Sequence, residues 1–490
     1  MRILFVYPRF EKFLESTPEL SRELVDFFLG KFTTPPSLGI PLLAALTPPD
    51  VDIEFTDDNN GDVLHYDRHY DLVAINCFTP QATRAFEIAD EFKKRGTRTI
   101  MGGFFPSFMV EECLKHADSV NVGEGEPTWP RIIDDVRNGR LERVYHGGCK
   151  FDITKLPIPR RDLFYAKETY DWDEDLVQIT RGCSYTCAMC ALPAHMGNRI
   201  RFRPIDQVVN EIKGLKYENV YLADDTLFFT QRKIYEYAKA LFTELIPLNK
   251  KYFVSSTMAL STDRDFFHLA ARAGVSNFYC TLNVDPVSIA ALKGSAKEQQ
   301  AFVDLVNFLN DLNIRFFASV GLGRDWDDDG TVDRMLELFL KARVNTSEFF
   351  CFTPYPGSVQ WDRLESQKRI FDKTWKHYNG AHVVFEPTNM TAEKLYEQFI
   401  YAWKEFFRMR KDSLTAHFEP ATWKGGEQVV GKPLQRRHVG GKAAVTGVGI
   451  ISAIGADPST VVENLRLGKS GIRPISRFDV SHFRARHAGR

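Results

Sequence analysis

Cysteine is scarce in this chain, 8 in 490 residues, and none follows Cys351. So thin a supply excludes a disulfide-stapled scaffold, and no signal peptide is expected. Long apolar runs are missing too: none approaches the roughly 18 residues of a membrane span. An excess of one charge is also lacking. With 63 Lys+Arg against 64 Asp+Glu, the net charge is −1, and the overall balance points to no nucleic-acid partner. Repeats with periods of roughly 20 to 50 residues and low-complexity tracts are absent. What remains is an ordinary globular composition, 44% hydrophobic and 26% charged, with length for about three domains. The expected location is cytoplasmic, where thiols stay reduced.

Three of the few cysteines stand together. Cys183, Cys187 and Cys190 have C-x3-C-x2-C spacing directly after a short apolar strand signal. Three thiolates on one short loop suit an iron–sulfur cube and leave its fourth iron open to a small ligand. A structural zinc site wants four closed ligands, usually as two separated pairs. No second C-x2-C exists, and His195 follows the third Cys too closely to form the distant pair. The cluster is the favoured reading, with zinc as the alternative.

With Thr180-Arg181-Gly182 before the first Cys and Met189 before the third, the motif resembles the radical S-adenosylmethionine (SAM) superfamily. The resemblance implies a [4Fe–4S] cluster whose open iron chelates SAM, with Met189 beside the cofactor. It also implies reductive cleavage of SAM to a 5′-deoxyadenosyl radical, and an electron donor such as a flavodoxin or ferredoxin.

The first 145 residues alternate strand and helix signals. Arg2 to Tyr7, Val51 to Phe55, Leu72 to Cys77, Thr97 to Met101 and Ser119 to Val122 read as buried parallel strands. The spacing predicts a helix with Ala82, Phe86, Ala89 and Phe92 on one face, stopped at Gly96. The expected fold class is α/β, here a doubly wound (Rossmann-like) sheet with its ligand beyond the strands' carboxyl ends. Several strand-end phrases, among them Gly102-Gly103-Phe104-Phe105-Pro106 and Gly123-Glu124-Gly125-Glu126-Pro127, resemble a cobalamin-binding domain. Gly102 and Gly103 would then admit the corrinoid, or else only make a tight turn. The chain departs from that pattern: it lacks the Asp-x-His-x-x-Gly loop of an axial imidazole, and Phe105 stands where relatives of this subgroup tend to carry His.

Residues 146–173 read as an ordered connector. From 174 to 370 six strand candidates alternate with helices, as a partial (β/α)6 TIM-type barrel with working residues at the strand C-termini. They are Leu176 to Thr180, Asn219 to Ala223, Tyr252 to Ser256, Asn277 to Leu282, Arg315 to Val320 and Ser347 to Thr353. By resemblance, Asp224 and Asp225 after the second strand would bind the SAM amino group, or else cap the next helix. Asn283 would meet the ribose, and Gly321 and Gly323 the adenine. Residues 371–422 form a helical, aromatic extension, whose aromatics either wall the chamber or simply fill the core.

A polar linker, 423–441, precedes 442–490, which resembles the opening of a β-ketoacyl synthase without its Cys nucleophile. The tail suggests an acyl carrier protein or a ketosynthase as partner. The function expected is hydrogen abstraction from an unactivated carbon of a lipid, polyketide or other natural-product intermediate, with cobalamin-dependent methyl transfer if corrinoid binds. Alternatives are cobalamin-free rearrangement, cyclisation or desaturation, and a non-enzymatic cluster scaffold docking a synthase.

Overall fold

The computed structural model describes residues 1–20, 37–167, 174–185, 187–224, 231–258 and 263–417, plus two short strands near the C-terminus. The chain falls into two compact units, Met1–Glu427 and Gln428–Arg490.

The first unit opens with six parallel strands: β1 (Arg2–Tyr7), β2 (Asp52–Asp57), β3 (Leu72–Asn76), β4 (Thr99–Gly102), β5 (Ser119–Gly123) and β6 (Val144–Gly148). Their order is β2-β1-β3-β4-β5-β6. The chain winds one way from β1 to β2 and the other way from β3 onward, so a crevice opens at the β1/β3 switch point. Alternate residues feed the two faces. Leu4, Val6, Val73 and Ile75 pack toward the helix Ala82–Lys94, whose Phe86, Ala89 and Phe92 are buried as its spacing predicts. Ile3, Phe5, Leu72 and Ala74 pack on the other side, beside Trp129.

The next strands are β7 (Glu174–Val177), the short antiparallel pair β8 (Thr180–Arg181) and β9 (Arg201–Phe202), then β10 (Asn219–Leu222), β11 (Lys251–Ser256), β12 (Val275–Leu282), β13 (Arg315–Leu322) and β14 (Thr346–Cys351). Apart from β8 and β9 they make a second parallel sheet in the order β14-β13-β12-β11-β10-β7. Strand order follows chain order, which is the single-direction winding of a partial barrel. Val220, Val254, Phe278, Phe316 and Phe349 face the helices and form the largest core.

The helix Ala392–His417 covers the outside of β14. Trp403 donates its indole N–H to the Phe349 carbonyl at 3.0 Å, and Phe399 and Phe406 are buried with it. These aromatics are core. The connector is tied down by Arg161, which is buried and donates to Glu211 at 2.5 Å. Ile153 and Leu156 pack there on Leu42.

In the second unit, β15 (Ile472–Pro474) pairs antiparallel with β16 (His487–Gly489). The rest of the synthase-like tail lies outside the described residues, as does the 423–441 linker. Among the described residues, no helix is long and apolar enough to cross a membrane.

Candidate cofactor site

The cysteines sit on the loop enclosed by β8 and β9, at the carboxyl end of β7. Gly182 starts this loop at φ +92, and a Cβ there would lie 2.5 Å from the Arg199 carbonyl oxygen. The turn therefore requires glycine. Cys190 N–H donates to the Cys187 carbonyl at 3.0 Å, and Leu192 N–H to the Cys190 Sγ at 3.4 Å. Burial and the neighbouring Cys183 push the Cys187 thiol up. Among the described residues, no three His, Cys, Asp or Glu side chains could hold one metal ion. A cube makes no such demand, since each thiolate takes a different iron.

Arg324, directly after β13, reaches this loop. Its guanidinium donates to the Met189 Sδ at 2.6 Å and lies 4.6 Å from the centre of the Phe352 ring. Burial lowers its pKa to about 10, against the opposing charges of Asp327 and Cys187. Sequence reasoning passed over Arg324. Only the strand order brings it to the cysteines.

The residues expected around SAM divide. Asp224 is buried at the end of β10 and accepts a hydrogen bond from Thr180, two residues before the Gly182 turn. The next described helix begins at Arg232. Asp225 lies outside the described residues. Asn283 takes a left-handed φ of +66. Its amide donates to the Gly321 carbonyl at 3.2 Å and accepts from the Trp326 indole at 3.0 Å, so it braces β12 to β13. A Cβ at Gly321 would sit 2.8 Å from the Phe350 ring, and one at Gly323 would sit 2.6 Å from Leu395. Packing within the protein accounts for both glycines.

A cavity of about 350 Å³ opens between the two sheets. One wall is the carboxyl edge of the first sheet, with Asn76, Gly102, Gly103, Asn121 and Gly123, and the floor runs down to Phe5, Ala74 and Trp129 in its core. The other wall carries Leu176, Gln178, Arg181, His195 and Met196 from around the Cys loop. A Cβ on Gly103 would lie 2.8 Å from Asn76 and 2.9 Å from the Cys77 carbonyl, so Gly103 serves the turn. Gly102 has room and faces the cavity. Phe105 points elsewhere, buried between Phe86 and Trp375.

His195, set aside in the sequence as a zinc ligand, belongs to this cavity. It is 7% exposed, its ring lies 4.2 Å from that of Phe104, and its Nδ1 has no hydrogen-bond partner among the described residues. Burial, helped by the Arg181 charge, lowers its pKa from 6.5 to about 4.

Buried charges join the two walls. Arg181 donates to Glu124 at 2.9 Å and to Glu126 at 2.7 Å, and Arg201 donates to Glu124 at 2.8 Å. The Phe151 N–H completes Glu124 at 2.8 Å. Burial opposes the Arg181 charge, but Glu126 and Glu124 outweigh it and hold its pKa above the ordinary value.

Residues 177–338 match the family described as the radical SAM superfamily. Bacteriochlorophyllide d C-12(1)-methyltransferase of Chlorobaculum tepidum is 25% identical over 398 residues, which are 79% of this chain and 86% of the relative. Bacteriochlorophyllide d C-8(2)-methyltransferase of the same organism is 27% identical, over 75% of this chain and 86% of the relative. The solved structure of the radical SAM methyltransferase TsrM from Kitasatospora setae superposes with a TM-score of 0.55, at 16% identity, covering 75% of this chain and 78% of that one. Residues 177–338 are thus a radical SAM domain, and the protein is an enzyme. Its cofactors are SAM and a [4Fe–4S] cluster.

Two outcomes are expected from this geometry. Arg181→Met leaves two carboxylates buried without their shared partner, a loss of about 3–5 kcal/mol in a denaturant titration. Because His195 is held neutral, the unfolded chain binds more protons between pH 6.5 and about 4. Stability should therefore fall as pH drops through that window, and His195→Phe should flatten the slope measured by unfolding at stepped pH.

Proposed function

We propose that this enzyme is a cobalamin-dependent radical SAM methyltransferase acting on an unactivated carbon of an apolar natural-product intermediate. The observation that carries the reading is the cavity. It runs from the Cys loop into the core of the first sheet, where an ordinary doubly wound domain is close-packed. A flat macrocycle at its mouth and a tail in its apolar floor would account for both parts. In this reading residues 1–145 form the corrinoid domain and 174–370 the radical-generating barrel. The Chlorobaculum tepidum relatives are named as methyltransferases of bacteriochlorophyllide d, and the solved TsrM structure is described with cobalamin and a [4Fe–4S] cluster bound.

When bound, the cluster and SAM supply a 5′-deoxyadenosyl radical, and the corrinoid supplies a transferable methyl group. Cys183, Cys187 and Cys190 hold three irons of the cube. Arg324 presents a charge beside Met189, where it suits a carboxylate such as that of SAM. Asp224, through Thr180, fixes the start of the Cys loop. The Phe104 and His195 rings, in tilted contact, close the cavity against water, and exclusion of solvent protects a carbon radical. His195 stands on the barrel side as a neutral imidazole, whereas the first sheet supplies Asn76 and Asn121 as polar groups. A flavodoxin or ferredoxin supplies the electron. The acyl carrier protein and ketosynthase partners rest on residues 442–490, nearly all outside the described residues.

Anaerobic reconstitution with iron, sulfide and hydroxocobalamin, followed by SAM and reductant, tests this reading. Both 5′-deoxyadenosine and S-adenosylhomocysteine are expected, and Cys187→Ala should yield neither. The nucleoside alone, without S-adenosylhomocysteine, would replace methylation by cobalamin-free radical chemistry.

A further inference from the structure

The concave face of the second sheet has a composition that the cofactors do not explain. Residues that alternate with its helix-facing core positions point to this side, and several are aromatic. Tyr221 pairs with Phe253, and Tyr279 pairs with Phe317, in register across β10 to β13. Ring centres are 4.9 Å apart for Tyr221 and Phe253, 5.9 Å for Phe253 and Tyr279, and 5.2 Å for Tyr279 and Phe317. Tyr221, Phe253 and Tyr279 are only half-buried, although the opposite face of the same strands is sealed under helices. The rings form a continuous belt below the strand ends that carry Arg324 and the Cys loop.

One acidic group interrupts the belt. Glu348 of β14 stands beside Ser319 of β13. Its Oε1 lies 2.6 Å from the Tyr279 hydroxyl and 2.7 Å from that of Ser319, and the two hydroxyls are 2.7 Å apart. No Lys or Arg pairs with this carboxyl among the described residues. Burial raises its pKa against the pull of the two hydroxyls, which favours the protonated form. A neutral carboxyl keeps one O–H donor. With both neighbouring hydroxyls gathered at Oε1, the other oxygen is left for a ligand.

We propose that this concave face binds a flat, apolar, polycyclic substrate, and that the Glu348 carboxyl anchors it by donating a hydrogen bond to a single acceptor such as a carbonyl. The belt supplies broad apolar contact, which tolerates many ring systems. The single donor sets orientation, because a buried donor without its acceptor is costly. This rests on the methyltransferase reading and adds the substrate class and a specificity residue. Tyr279 and Ser319 are positioning residues that hold Glu348.

The test uses the anaerobically reconstituted enzyme with SAM and two probes, fluorenone and fluorene, which share their rings and differ in one carbonyl. Equilibrium dialysis should show fluorenone bound roughly tenfold more tightly. Glu348→Gln, whose amide also donates, should keep that ratio, and Glu348→Leu should bring it to unity. Should the Leu variant fail to fold, Glu348→Asp, with its shorter reach, must also lower the ratio. Phe317→Ala should weaken both probes by about tenfold. Equal affinities in the wild type, or a carbonyl preference that survives Glu348→Leu or Glu348→Asp, would overturn the proposal. Formation of 5′-deoxyadenosine in the same samples judges the radical reading separately, since the affinity ratio requires no turnover.

Discussion

Everything around the site depends on one buried cluster of charges, Glu124 and Glu126 at the end of the first sheet, facing Arg181 and Arg201 beside the Cys loop. Taking Glu124, Glu126 and Arg181 out of water costs several kcal/mol per ion, and only close geometry recovers it. Such a cluster adds little net stability over an apolar patch of equal size. What it fixes is register, because a shift of either edge would leave a carboxylate or a guanidinium buried alone. Arg181 is two residues from Cys183, so the same contacts that align the edges also place the first cluster ligand.

That alignment explains how a cavity survives between two tightly packed sheets. The first sheet ends in glycines and asparagines, which leave room. The second ends in a loop wrapped around Gly182 and closed by the β8–β9 pair. Chemistry is thereby divided by place. Thiols and Arg324 gather at the barrel mouth, a neutral imidazole and amides line the cavity, and the aromatic belt lies below.

Much of the fold was legible because parallel strands buried on both faces read as short apolar runs. The run Ile3-Leu4-Phe5-Val6 is fully interior, and Phe316 to Val320 is its counterpart in the barrel. β6 escaped notice, since Val144-Tyr145-His146-Gly147-Gly148 carries no apolar run. The Cys loop was visible as spacing, whereas its surroundings were not. His195, Arg324 and the four clustered charges are distant in sequence from what they touch, and periodicity carries no signal for such contacts. Asn283 carries a further role that its place after β12 did not reveal: its amide contacts Gly321 and Trp326 from a left-handed backbone. Gly321 within β13 and Gly323 just after it make room for Phe350 and Leu395.

The central claim is that a corrinoid occupies the cavity between the sheets. It is tested most directly by hydroxocobalamin uptake, followed in the visible spectrum, in the wild type and in Ala74→Phe. Ala74 lines the cavity floor, and a phenyl ring there fills the space without touching the cysteines. The account predicts one corrinoid per wild-type chain and little or none in the variant, with the iron–sulfur absorption of both unchanged. Equal corrinoid uptake by the two proteins, or none by the wild type, would contradict it.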